Sequence, residues 1–140
     1  MSSTPISIRF EDAILERLRR RASARETTPS TLIQRLVDEG LRAQDFPGIV
    51  FRDGPSGRRA GLAAGPDIWE IVAALRDAPD RGDHAIRGVA TDFSLSESNV
   101  QVALAYYGAY AHEIDAEIEE NDRVAAEALK SWELQRRLVS

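Results

Sequence analysis

The chain is 140 residues long, carries a net charge of -5 and contains no cysteine. That length suits one ordinary domain or two very small ones, and the missing thiols exclude a disulfide framework and a thiolate metal site. With 43% apolar and 29% charged residues, composition excludes wholesale disorder. No apolar run approaches the ~18 residues of a membrane span. "MSSTPIS" lacks a basic-then-apolar leader, so a cytoplasmic protein with no membrane partner is expected.

The charge is uneven. Residues 1–44 net +2, residues 45–112 net -3 and residues 113–140 net -4, and these spans are the three expected segments. In "TPISIRFEDAILERL", apolar side chains alternate at Ile6, Ile8 and Phe10, then recur at helical spacing at Ile14, Leu15, Leu18 and Ala22. A strand over residues 5–10 and a helix to about Arg25 follow. "ETTPS" stops that helix and starts another, with Thr28 as N-cap and Pro29 at the first helical position. The second helix is expected to bury Leu32, Ile33, Leu36, Val37 and Leu41. One strand and two helices in so few residues make a marginal core, and a lone strand leaves its backbone unpaired. A twofold homodimer with the two strands paired antiparallel resolves both problems.

Further along, "GIVFRD", the turn "GPSG" and "RRAGLA" read as a β-hairpin, with Gly54 and Gly57 supplying backbone freedom at the turn. "PDIWEIVAALRDA" is a helix with Ile68, Ile71, Val72 and Leu75 inward, and a short helix is expected near "HAIRGVATDF". Ser96 then caps a helix through "SLSESNVQVALAYYGAY", with Leu95 as a hydrophobic staple and Val100, Ala103, Leu104 and Tyr107 at helical spacing. The last two helices of this middle unit suggest a helix-turn-helix-like corner. "HEIDAEIEENDRVAAEALKSWELQRRLVS" reads as one helix of roughly 40 Å. Its thin apolar stripe (Ile114, Ile118, Ala125, Leu129, Trp132) calls for a partner. The expected fold is mainly α with a short N-terminal strand and one hairpin.

Residues 1–42, through "PISIRFEDAILERL", "TTPS" and "LIQRLVDEGL", resemble the ribbon-helix-helix family of DNA-binding proteins. The resemblance implies a dimer whose paired strands enter the major groove of operator double-stranded DNA. The base-reading positions become Pro5, Ser7 and Arg9, since Ile6, Ile8 and Phe10 face the core. Arg9 would donate two bonds to guanine, worth about 1–3 kcal/mol of discrimination. Pro5 departs from the polar reader common in the family. Thr28, Ser30 and Thr31 match the family's phosphate anchor at the second helix's amino end. A dimerisation ribbon without DNA affinity is the plain alternative.

Residues 46 to about 122 resemble a small VapB-type antitoxin domain, carried by "PGIVFRDGPSGRRAGLAAGPDIWEIVAAL" and "LSESNVQVALAYYGAYAHEIDAEI". That resemblance implies a PIN-like ribonuclease toxin as partner. A second DNA-reading helix would have to present "SESNVQ", which has no basic residue, so packing and partner binding are the expected roles. In the tail, Trp132 is a candidate interface anchor. Arg136 or Arg137, or Lys130 as a point charge, would reach the toxin's carboxylate pocket. A solvated helix end, with cations near the carbonyl terminus, is the alternative.

No catalytic residue, cofactor or metal site is expected. His84 and His112 lack metal-ligand spacing, the carboxylates at 113, 117 and 120 read as a solvated face, and no nucleophile elbow or phosphate loop is present. The expected function is a type II antitoxin that silences its toxin and represses its own operator. The alternative is a stand-alone ribbon-helix-helix regulator with a ligand-sensing or oligomerising second domain.

Overall fold

A computed structural model describes residues 2–55 and 57–140. Among them it forms six helices and one two-stranded antiparallel hairpin, a mainly α fold. The chain divides into two units, Met1–Leu41 and Arg42–Ser140.

In the first unit, helix α1 (Asp12–Ala24) ends in a tight reversal. Glu26 adopts φ 53°, its amide bonds the Ser23 carbonyl, and the Thr27 amide reaches back to that of Ala22. This is the Schellman pattern, with a glutamate where glycine is most at ease. Helix α2 (Pro29–Asp45) starts at once, because the Thr28 hydroxyl accepts from the Thr31 amide at 3.2 Å. The two helices close over Leu18, Ala22 and Leu32, with Leu15 and Ile33 beside them.

Two expectations for this unit are corrected in the single chain. Residues 5–10 form no strand, and residues 2–10 enter no backbone–backbone hydrogen bond among the described residues. A strand is defined by a ladder, and none of the described residues pairs with that segment. Ile6 and Ile8 are accordingly 82% and 59% exposed. Leu36, Val37 and Leu41 are also exposed, since α1 is too short to cover both sides of α2.

The second unit is built on strands β1 (Ile49–Gly54) and β2 (Gly57–Leu62), paired from Ile49↔Leu62 to Gly54↔Gly57. Ser56, in the expected turn, lies outside the described residues. Arg52 folds its guanidinium over Gly61, where a Cβ would collide with it. From there it donates to the Leu62 carbonyl at 3.0 Å, the Gly65 carbonyl at 3.1 Å and Asp67 Oδ1 at 2.9 Å, tying the hairpin to the next helix.

Helices α3 (Ile68–Asp77), α4 (Asp83–Asp92) and α5 (Glu97–Ala109) follow. Helix α5 opens with reciprocal bonds: Ser96 Oγ accepts from the Asn99 amide at 3.1 Å, and the Ser96 amide donates to Asn99 Oδ1 at 3.2 Å. After a one-residue break at Tyr110, helix α6 (Ala111–Val139) runs for about 43 Å. Ile49, Ile68, Ile71, Val100, Ala103 and Ile114 are among the core residues. In α5, Val100 and Ala103 are wholly buried as their spacing indicates, but the tyrosine wholly buried with them is Tyr106, while Tyr107 is only partly buried. Beyond Asn121, every side chain of α6 is exposed.

Candidate functional site

The ribbon positions Pro5, Ser7 and Arg9 are all exposed. In the same unit, a groove is floored by Ile14, Leu18, Leu32 and Leu36 and walled by Arg17 and Arg21. Apolar groups that alternate along the segment and a second apolar face on α2 thus lie open within one small unit. At the start of α2, Thr28, Ser30 and Thr31 are exposed together. The Thr31 amide is already held by Thr28, whose hydroxyl also donates to Thr31 Oγ1 at 2.9 Å. Pro29 has no amide to offer. An anion would therefore meet the Ser30 amide and a short row of hydroxyls.

At the far end of α6, the Arg136 guanidinium carbon lies 4.8 Å from the Trp132 ring centroid, so the cation is stacked on the indole. Trp132 is 51% exposed and shares a shallow hollow with Glu133, Arg136 and Arg137. Lys130, two residues from Trp132, lies about 200° around the helix from it and is not part of that cluster.

The root of α6 holds two arrangements that periodicity did not reveal. Arg42 Nη1 donates to the Tyr106 hydroxyl at 2.8 Å and lies 3.1 Å from both carboxylate oxygens of Glu113, while the hydroxyl donates to Glu113 Oε2 at 2.9 Å. Arg76 Nη2 donates to the Tyr107 hydroxyl at 3.0 Å and to Asp115, and that hydroxyl donates to Asp115 Oδ1 at 2.9 Å. Two successive tyrosines are each clamped between an arginine and a carboxylate. The adjacent Tyr106 and Tyr107, followed seven and eight residues later by acids, were the available signal.

The run of acids expected to be a solvated face is divided in its roles. Glu113 pairs with Arg42, and Glu120 with Arg123. Between them Glu117 is half-buried, and burial pushes its carboxyl up to about 7, reinforced by Glu113 and Asp67 and opposed by Arg59. Among the described residues, no group of three His, Asp or Glu side chains is placed to hold a metal ion, and no helix is long and apolar enough to cross a membrane.

Compared with protein-family models, with curated proteins and with solved structures, the chain gives no match.

Proposed function

We propose that the chain is a non-catalytic, cytoplasmic antitoxin. Its first unit pairs with a second copy and binds operator DNA, and its α6 tip binds and silences a PIN-like ribonuclease. One observation carries the reading: among the described residues, 2–10 have no backbone pairing and expose Ile6 and Ile8, and the same small unit leaves an apolar groove open between α1 and α2. A second copy laid across the dyad would supply the missing ladder partner and cover the isoleucines, Leu36 and Val37. Pairing turns Pro5, Ser7 and Arg9 to the outer face, with Thr28, Ser30 and Thr31 at a helix amino end as the phosphate contact.

The toxin-binding half is supported by the bare outer length of α6. Leu129, Trp132, Leu134 and Leu138 are all exposed, and none of the described residues covers them. Arg136 held on Trp132 and the neighbouring Arg137 offer a preorganised cation pair to a carboxylate pocket. Lys130 serves only as a more distant point charge.

The test is reconstitution with the product of a neighbouring PIN-like reading frame. The full chain should co-purify with it and suppress RNA cleavage, and the Arg136→Ala/Arg137→Ala pair should release cleavage. Stable co-purification with cleavage unaffected by either arginine would reject the pocket-filling role, and no association at all would reject the antitoxin reading.

A second reading, a stand-alone ribbon-helix-helix regulator with a ligand-sensing second domain, is favoured by a different feature. A cavity of about 250 Å³ lies between α3 and α4, with Ala74, Ala85 and Val89 at its wall and Asp77, Asp80 and His84 at its polar side. DNA binding that persists without any toxin partner and changes with a small cationic ligand would select it.

A further inference from the structure

The root of α6 carries a carboxyl group that its surroundings leave unsatisfied. Glu117 Oε2 is shut off from solvent and has no hydrogen-bond partner among the described residues, and the same holds for the Trp69 indole Nε1 on α3. Both residues neighbour Arg59 of β2, whose guanidinium carbon lies 5.6 Å from the Trp69 ring centroid. A hollow of about 200 Å³ between β2 and α6 is lined by Arg58, Arg59, Ala116, Glu117 and Glu120.

The charged groups around Glu117 come from three elements. Arg58 and Arg59 stand on β2, Asp67 caps α3, and Glu113 and Glu120 belong to α6. Asp53 holds Arg58, Arg52 holds Asp67, Arg42 holds Glu113 and Arg123 holds Glu120. Arg59 supplies the charge that favours an ionised Glu117, while Glu113 and Asp67 oppose it. An ionised Glu117 would thus place a carboxylate with an unsolvated, unbonded oxygen among like charges, whereas the neutral acid fits the site.

We propose that Glu117 is a proton-operated latch: neutral, it lets the root of α6 seat on β2 and the start of α3, and ionised, it loosens that seat. The latch depends on the second unit alone and not on what the α6 tip binds. Its operating range is near neutral, since burial and the two neighbouring carboxylates lift the group from the ordinary 4.5 to about 7. The seated form binds the proton more tightly than the loosened one. The seat is therefore firmest below 4.5, weakens as pH rises, and has lost the whole contribution above about 7. Between about pH 6 and about pH 8 the loosened fraction should grow roughly tenfold.

Trp69 is a built-in reporter, because the chain has only 2 tryptophans and Trp132→Phe leaves it alone. In that full-length variant, acrylamide quenching of Trp69 should increase with pH through a midpoint near 7. Adding Glu117→Gln should hold quenching at its low-pH level throughout. A flat titration in the Trp132→Phe chain overturns the latch. So does an unchanged transition after Glu117→Gln. Should Glu117→Gln fail to fold, amide hydrogen exchange in the unmodified chain decides. Corrected for intrinsic rates, protection over 111–121 should fall about tenfold between about pH 6 and about pH 8, and equal protection overturns the proposal.

Discussion

Arg42 and Tyr106 share a hydrogen bond of 2.8 Å that joins the last turn of α2 to the most deeply buried ring of α5. A phenol taken out of water needs partners for both its lone pairs and its proton. Arg42 donates to the oxygen, Glu113 accepts the proton, and the guanidinium also lies 3.9 Å from the Tyr110 ring centroid. Burial works against the Arg42 charge, yet the bonds to Tyr106 and Glu113 outweigh it and make the guanidinium more basic than usual. Burial likewise drives the Tyr106 hydroxyl well above the ordinary phenol range.

Removing the cation should therefore cost more than removing the hydroxyl. Arg42→Ala is expected to lower the stability of the second unit by about 2 kcal/mol, since Glu113 keeps some solvent but the Tyr106 oxygen loses its donor. Tyr106→Phe should cost about 1 kcal/mol. Arg42→Lys should recover little, because one ammonium cannot reproduce the planar stack on Tyr110. Urea unfolding followed by circular dichroism measures all three, and equal midpoints for Arg42→Ala and the parent would show the clamp to be energetically idle.

The second clamp is wetter and should behave differently. Asp115 is held below the ordinary carboxylate range, first by the Tyr107 hydroxyl and then by Arg76. A depressed carboxyl stabilises the fold above its ordinary titration range, and that contribution is lost as pH falls through the folded value. Tyr107→Phe should move the Asp115 midpoint upward, toward the ordinary value, in a carboxyl-carbon NMR titration. Arg76→Ala should shift the unfolding midpoint less than Arg42→Ala does, since solvent screens this pair.

Two helix ends hold left-handed residues that are not glycine, Glu26 at φ 53° and Ser94 at φ 55°. Both sit in the same reversal, and Ser94 repeats the pattern: its amide bonds the Thr91 carbonyl and the Leu95 amide that of Ala90. A side chain in this region costs about 1 kcal/mol that glycine avoids. Ser94→Gly and Glu26→Gly should each raise the thermal midpoint, while Ser94→Ala should give no gain.

Local grammar made much of this fold legible. The turn between Gly54 and Gly57, the Ser96 cap and the Thr28–Pro29 restart are short-range signals, and the helices and hairpin fall where they point. Burial was legible only where the chain itself supplies the cover. Leu36, Val37 and Leu41 have the spacing of a core face, yet the surface that would cover them is absent from the first unit. Tyr106 and Tyr107 differ by one position in a helix with no one-sided apolar stripe. The choice between them is made by Phe46 and Phe51, whose rings meet Tyr106 edge-on at 5.4 and 6.5 Å, and nothing near position 106 announces them. Glu117 is one acid in a run of acids. Only packing beside β2 and α3, remote in sequence, separates it from its solvated neighbours.

The proposed operator complex makes two demands that can be separated by substitution. Ile8→Asp places a charge where a second copy would bury an isoleucine, so it should abolish self-association in sedimentation equilibrium and DNA binding with it. Arg9→Ala should leave the dimer intact and weaken only the gel shift on the chain's own upstream region. With four to six phosphates neutralised per dimer, log affinity should fall with log salt at a slope of about -4 to -5. Arg9 reads a base and not a phosphate in this scheme, so Arg9→Ala should lower affinity while leaving that slope nearly unchanged. A slope that drops by about one instead would reassign Arg9 to the backbone. An Ile8→Asp chain that still bound DNA with full affinity would remove the paired ribbon, and the operator-binding half of the proposed function with it.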